Sequence, residues 1–457
     1  MKESIPLSGK QMAFRQRRSS NSIILLILLM LVVAGLYILR SVLTKEIVSP
    51  FESTPIPTRM VDSFTLEGET HFKAGDLDKA IKAYSEASRL DPKNAQVLAE
   101  LARIQTYSSA TLATDTERQK RMQEAINSIE SAVALAPDDS TVNAIHSFVL
   151  DWYASILQSL QTNVVDKADD KVQQALTEGE QAAVRALQMD PKNALAMAYY
   201  AEILLDQQKW VQAEQYISNA LAADPNLMDV HRIRAIVQES GGNYAEAIKE
   251  YKLAADIYPN LTFLYIRIGI NYRQLRQYDT ALIWFNKAAT IDKQLGVKDP
   301  TPNLAIAKTY SQIGEFFTAA LNVKAALNMD PSNPEVYGSI GVIYFKSRNY
   351  EGSIPALQCA VVGCDANTSC LVREGGDTCA SNDNIVIQGM PLTTNTVVYY
   401  YTYGSVLAGM HRETDPVPLC AEAVKILAQV RKAFSNDQSI ISIITPSEEI
   451  CASKGYR

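Results

Sequence analysis

Small and large apolar residues alternate along this chain at helical spacing, separated by polar positions. Ala80, Tyr84 and Ala87 share their spacing with Ala213, Ile217 and Ala220, and with Ala247, Tyr251 and Ala254. Ala281, Phe285 and Ala288 repeat the pattern, as do Ala319, Val323 and Ala326. Residues three, four or seven apart lie on one face of an α-helix. Alanine lets a second helix approach closely while the larger side chain fills the groove. Upstream of each stripe comes another: Phe64 and Gly68; Met197, Tyr200, Ala201 and Leu204; Tyr265, Ile268, Gly269 and Tyr272; Tyr337, Ile340, Gly341 and Tyr344. The pattern predicts helices in successive antiparallel pairs.

Prolines punctuate it. Pro92, Pro191, Pro225, Pro259 and Pro331 follow the second helix of a pair, where an absent N–H and a ring clash end the ladder. From Pro191 the intervals are 34, 34 and 72 residues, the last being two periods plus four. Asn94, Asn193 and Asn333 follow as caps for the next helix. These residues resemble the tetratricopeptide repeat family over most of 61–361, a period of 34 being its signature. The resemblance implies an all-α solenoid whose pairs bury their apolar faces only by stacking, with a concave face lined by the first helices. Two intervals depart: Pro92 to Pro137 is 45 residues and Pro137 to Pro191 is 54. The first excess reads as a polar turn near Ser108–Lys120. The second reads as a lengthened pair beginning at Ser140.

Ile23 to Leu39 are seventeen residues without a charge, long enough with their flanks to span a bilayer. Tyr37-Ile38-Leu39-Arg40 offers no small-x-small cleavage site, so the segment reads as an uncleaved anchor. Lys2, Lys10, Arg15, Arg17 and Arg18 precede it, against Arg40, Lys45 and Arg59 after it. That bias predicts a cytoplasmic tail and an extracytoplasmic body. The chain then divides into a basic tail (1–21), a transmembrane anchor (22–43) and a Pro-containing linker (44–60). A solenoid of about eight helical pairs (61–361), a Cys-containing loop insertion (362–393) and a C-terminal pair with a capping helix (394–457) follow.

All six cysteines lie in the last hundred residues. Outside the cytosol an even set reads as disulfides, and fifteen pairings are open. The preferred set is Cys420–Cys451, Cys370–Cys379 around Glu374-Gly375-Gly376-Asp377, and Cys359–Cys364. Zinc is the alternative, but no Cys-x-x-Cys occurs. Residues 360–396 read as an irregular, cystine-tied stretch with a small β-hairpin. Tyr400 and Gly404 then resemble another first helix, Ala423 and Leu427 its partner, and Ile440–Cys451 a closing helix.

Composition narrows function further. Lys and Arg total 43 against 50 acidic residues, a net charge of −7, which argues against nucleic acid. The four histidines, at 71, 146, 231 and 411, lie far apart in sequence, and phosphate-loop, nucleophile-elbow and zinc-protease motifs are missing. No catalytic residue, metal or cofactor is therefore assigned, and a protein or peptide ligand in the concave groove is the expected partner. Phe263, Ile266, Ile270 and Arg273, spaced three, four and three, form a second stripe; Arg232, Phe345, Lys308 and Lys346 join it on the expected inner face. Such a groove, with an apolar floor and cations, suits an acidic segment or a terminal carboxylate. The reading is a non-enzymatic, membrane-anchored extracytoplasmic scaffold, in envelope assembly or secretion. The alternatives are a cytosol-facing adaptor with a cysteine metal module and a substrate-recruiting subunit of an enzyme complex.

Overall fold

The computed structural model describes residues 22–43, 60–112, 115–159, 168–375, 379, 384–414 and 418–456. The basic tail (1–21) and the linker up to residue 59 lie outside them. The chain divides into two compact units, Met1–Arg59 and Met60–Arg457. In the first, α1 (Ser22–Leu43) is one continuous apolar helix, long enough to cross a membrane, with a mean hydropathy of 3.0.

The second unit is built of helix pairs. They are α2 (Val61–Lys73) with α3 (Leu77–Leu90), α4 (Ala95–Ser109) with α5 (Asp115–Leu135), and α6 (Ser140–Ser159) with α7 (Ala168–Met189). Next come α8 (Ala194–Asp206) with α9 (Trp210–Ala223), α10 (Met228–Ser240) with α11 (Tyr244–Ile257), and α12 (Thr262–Gln274) with α13 (Tyr278–Leu295). Then follow α14 (Thr301–Gln312) with α15 (Phe316–Met329), and α16 (Pro334–Lys346) with α17 (Tyr350–Val361). The alanine stripes are the seams: Ala213, Ile217, Ala220, Ala281, Phe285, Ala288, Ala319, Val323 and Ala326 are all wholly buried. Within a pair, the small residue of the first helix faces the large residue of the second. A Cβ on Gly269 would lie 2.5 Å from the Phe285 ring, and one on Gly341 would lie 2.6 Å from Leu357 Cγ. Those two glycines are fixed by close approach.

Asn94, Asn193 and Asn333 cap α4, α8 and α16, accepting from the amides of Val97, Ala196 and Glu335. In six of these eight pairs the connecting turn carries a left-handed residue, at Gly75, Gln208, Gly242, Arg276, Gly314 and Arg348. Three of these six are not glycine.

Two length expectations need correction. The excess after Pro92 is mostly helix, because α5 runs 21 residues, one and a half times the 14 of α9 or α11, and begins at Asp115. The four extra residues before Pro331 extend α13 to 18, and Gly296 in the left-handed conformation ends it. The lengthened pair is present, with 20 residues in α6 and 22 in α7.

After α17, Gly363–Cys364 (β1) pairs antiparallel with Ile387–Gln388 (β2), a minimal hairpin. Between them lies a helix that the polar composition concealed, α18 (Ala366–Glu374). Asp365 caps it by accepting from the Thr368 amide at 2.8 Å. Gly376 and Asp377, expected in a turn here, lie outside the described residues. A ninth pair follows, α19 (Val397–Met410) with α20 (Leu419–Ala433), closed by α21 (Gln438–Ser453). The cysteines stand in three bonded pairs: Cys359 with Cys364, Cys370 with Cys379 and Cys420 with Cys451, their Cα atoms 4.6, 5.7 and 5.3 Å apart.

Candidate functional site

First helices pack on first helices, α4 on α6, α6 on α8 and α8 on α10, so they line the inner face. The superhelix turns tightly enough to bring α4 back against α10 and α12. Tyr107 of α4 stacks on Phe263 of α12 at 5.5 Å, and Phe72 of α2 lies 5.1 Å from Tyr258. The inner face there is filled by its own side chains.

Two ionic knots hold that filling. Asp229 accepts from the hydroxyls of Tyr107 and Tyr199 and from Arg103 Nη1 at 3.1 Å. Arg232 donates both terminal nitrogens to Glu202, at 2.6 and 2.7 Å, and its Nε to Tyr107 Oη at 3.1 Å. Its guanidinium also sits 5.4–5.7 Å from the Tyr107, Phe148 and Trp152 rings. Burial alone would lower the pKa of Arg232, but Glu202 and Tyr107 outweigh it and hold it well above the usual value. Burial lifts the Tyr107 and Tyr199 hydroxyls, so both stay protonated. Arg232, placed in the ligand groove by sequence reasoning, is 2% exposed and is a structural cation instead.

Beside the knots lies a cavity of about 520 Å³, walled by Trp152, Ile236, Phe263 and Ile266 and by the carboxylates Asp151, Glu202 and Asp206. Phe263 and Ile266 thus keep a place on the inner surface, in a cavity that the sequence did not reveal. Asp151 and the Glu202–Asp206 pair are 51 and 55 residues apart, with no motif to connect them.

Further along, the inner face changes character. Arg273, Lys308 and Lys346 come from α12, α14 and α16, consecutive first helices in contact with one another. Among the described residues, none of the three has an ion-pair partner; Arg273 Nη1 reaches only the Ala305 carbonyl, at 3.4 Å. Burial lowers the Lys308 pKa, the neighbouring charges of Arg273 and Lys346 lower it further, and Glu335 opposes them. Phe345 is half-buried against Tyr350, and Ile270 is half-buried on α12. The eight groove residues are therefore split between a filled turn and an exposed cationic run.

Two other clusters hold no chemistry. Cys370, Glu374 and Cys379 place donor atoms within 4.8 Å, but bonded sulfurs have no thiolate to give a metal. His231 is a packing hub, its ring nitrogens 2.7 Å from Glu250 and 2.9 Å from the Pro225 carbonyl.

Comparison with known proteins agrees with the repeat reading. Tetratricopeptide repeat models match residues 68–105, 168–237 and 264–295. A probable UDP-N-acetylglucosamine–peptide N-acetylglucosaminyltransferase SPINDLY of Hordeum vulgare is 28% identical over 165 residues, 30% of this chain and 18% of that protein. The DnaJ homolog subfamily C member 7 homolog of Schizosaccharomyces pombe is 25% identical over 271 residues, 56% of this chain and 50% of that one. The chain thus spans half or less of these relatives. Among solved structures, a tetratricopeptide repeat protein from Parabacteroides merdae is 19% identical, covering 62% of this chain and 98% of that one, with a TM-score of 0.35. Yeast Tom70 is 11% identical, covering 66% and 85%, with a TM-score of 0.38. Residues 68–105, 168–237 and 264–295 carry tetratricopeptide repeats, and the unit that contains them is an all-α solenoid of that type.

Proposed function

We propose that this protein is a non-enzymatic scaffold, tethered to a membrane by Ser22–Leu43, that presents an extracytoplasmic repeat array to protein partners in envelope assembly or secretion. The carrying observation is the run of Arg273, Lys308 and Lys346 on three consecutive first helices, mutually repelling charges that have no ion-pair partner among the described residues and of which Lys308 alone feels a nearby carboxylate, Glu335. Such a surface stores electrostatic free energy that an acidic segment or terminal carboxylate releases on docking. No activity is carried over from the transferase relative, of which the chain spans 18%. Bonded cysteines at the distal end favour an oxidising compartment over a metal-bearing cytosolic adaptor.

The test is a photo-crosslinking residue at position 308 of the full chain, in native membranes. Polypeptide adducts that vanish on Arg273→Glu with Lys346→Glu support the reading. Adducts indifferent to charge reversal, or none, overturn it. Labelling of the exposed tail and body by an impermeant reagent in intact cells tests the orientation separately.

A further inference from the structure

The cavity inside the filled turn carries an unbalanced charge. Four carboxylates line it, Asp151, Glu202, Asp206 and Asp299, together with Arg118, Arg232 and Arg267. Each arginine is already committed. Arg232 is bidentate to Glu202, Arg267 bonds Glu239 and the Tyr251 hydroxyl, and Arg118 donates to the Leu112 carbonyl and acts on Asp299. Among the described residues, Asp151 and Asp206 have no ion-pair partner, the Arg232 charge acting on Asp151 from a distance. Asp151 is 2% exposed, lines the cavity, and its Oδ1 has no hydrogen-bond partner. A buried carboxylate oxygen without a donor is costly and uncommon in folded proteins.

Asp206 is exposed, its carboxylate accepting from the Ser155 hydroxyl at 3.4 Å. One carboxylate of the pair is thus exposed and the other buried. Half-buried Trp152, Ile236 and Phe263 add an apolar and aromatic part to the same lining. A surface of this composition suits a cationic head on an apolar stem, since aromatic faces also attract cations. A single metal ion fits poorly: among the described residues, the one group of three or more donors within 4.8 Å is the Cys370 set.

We propose that this cavity is a binding site for an alkylammonium or guanidinium group, as a lysine or arginine side chain of a docked polypeptide or as a free amine. The charge sits between Asp151 and Asp206, and the stem lies along Trp152, Ile236 and Phe263. Burial, then Asp206 and Glu202, push the Asp151 carboxyl well above its usual range, and Arg232 opposes them. Burial, then Glu202, raise Asp206 to about 6. The empty site thus holds a proton near neutral pH that an entering cation displaces, and binding weakens as pH falls. The cations Arg273, Lys308 and Lys346 take no part, so this site and the acidic-segment reading fail independently.

The test is titration calorimetry on the full chain in detergent, with acetyl-Gly-Lys-Gly-amide, its norleucine counterpart and cadaverine as probes. The lysine peptide is expected to bind at least tenfold more tightly than the norleucine peptide and to release a proton, read from buffers of different ionisation enthalpy. Asp206→Asn and Asp151→Asn each weaken it at least tenfold, with helical circular dichroism unchanged. Should Asp151→Asn misfold, Asp206→Asn at the exposed carboxylate decides the matter. Cadaverine binding as tightly as the peptide assigns the site to free amines, and peptide-only binding assigns it to a side chain. Equal affinity for lysine and norleucine peptides, no binding by either cation, or wild-type affinity in Asp206→Asn overturns the proposal.

Discussion

The turn from α4 to α13 and the run from α12 to α16 are built from the same kind of helix pair and treat their charges in opposite ways. In the first, Arg103, Arg232 and Arg267 each meet a carboxylate, and aromatic rings fill the space between. In the second, Arg273, Lys308 and Lys346 repel one another, and among the described residues none has an ion-pair partner, Glu335 offsetting the repulsion at Lys308 only in part. The difference arises from curvature. Where α4 comes back against α10 and α12, inner residues far apart in sequence are packed together, and an unpaired buried arginine such as Arg232 would cost too much there. Along α12 to α16 the cations remain near water, where repulsion is tolerable and a ligand can relieve it. The contrast distinguishes the stabilising part of the inner face from the part available for docking.

The sharpest way to break the contrast is Arg232→Met. Removing one partner of a buried pair leaves Glu202 uncompensated, and a loss of about 3–5 kcal/mol is expected on chemical unfolding of the full chain. Adding Glu202→Leu should recover most of it. A loss below about 1 kcal/mol for the single variant would mean that the turn is wetter than its packing indicates.

Asp292 offers a second, gentler probe of the same turn. Burial, then Asp299, lift it to about 7, and its Oδ2 has no hydrogen-bond partner. A raised carboxyl pKa makes the folded state bind more protons than the unfolded one. Its ionisation therefore costs stability as pH rises from about 4 to about 7, and the cost is constant above that. Asp292→Asn is expected to add about 1–3 kcal/mol at pH 8 and little at pH 4, read from unfolding midpoints at the two values. An equal shift at both would contradict this account.

Lys308→Glu carries the comparison into the exposed run. A charge reversal that would be ruinous at Arg232 should change stability by less than about 1 kcal/mol here, because the site is hydrated. It should nonetheless weaken capture of acidic partners. Destabilisation on the scale of Arg232→Met would erase the distinction between the two regions.

The smallest expected effect concerns the intrapair turns. Arg276 sits at φ 59°, in the place that Gly242 holds one period earlier. Arg276→Gly should gain up to about 1 kcal/mol by removing left-handed strain, against the added freedom of the unfolded chain. A midpoint that falls would show that the arginine side chain outweighs the strain.

Much of this architecture was legible before any coordinates. The stripe Ala281, Phe285 and Ala288 dictates a seam because period and side-chain size suffice to describe it, and the small residue at Gly269 dictates its partner. Asn193 as a cap and Pro225 as a stop are equally local. Arg276 in a left-handed turn was invisible, since nothing in its side chain announces that conformation. The helix α18 was hidden by a polar, glycine-bearing neighbourhood. Arg232 was misplaced for a different reason: its number on the inner stripe is a matter of helical phase, but its partners Glu202 and Tyr107 are 30 and 125 residues away.

By itself the sequence determined the helices, their pairing, the apolar segment at Ser22–Leu43 and the identity of the inward-facing set, all of which follow from periodicity within some forty residues. Only the tertiary structure decided how far the array curls. That curl brings α4 against α10 and α12, neutralises Arg232, leaves Asp151 without a partner and keeps Lys308 in reach of solvent. Curvature sums small rotations over many repeats, so no single stretch of chain encodes it.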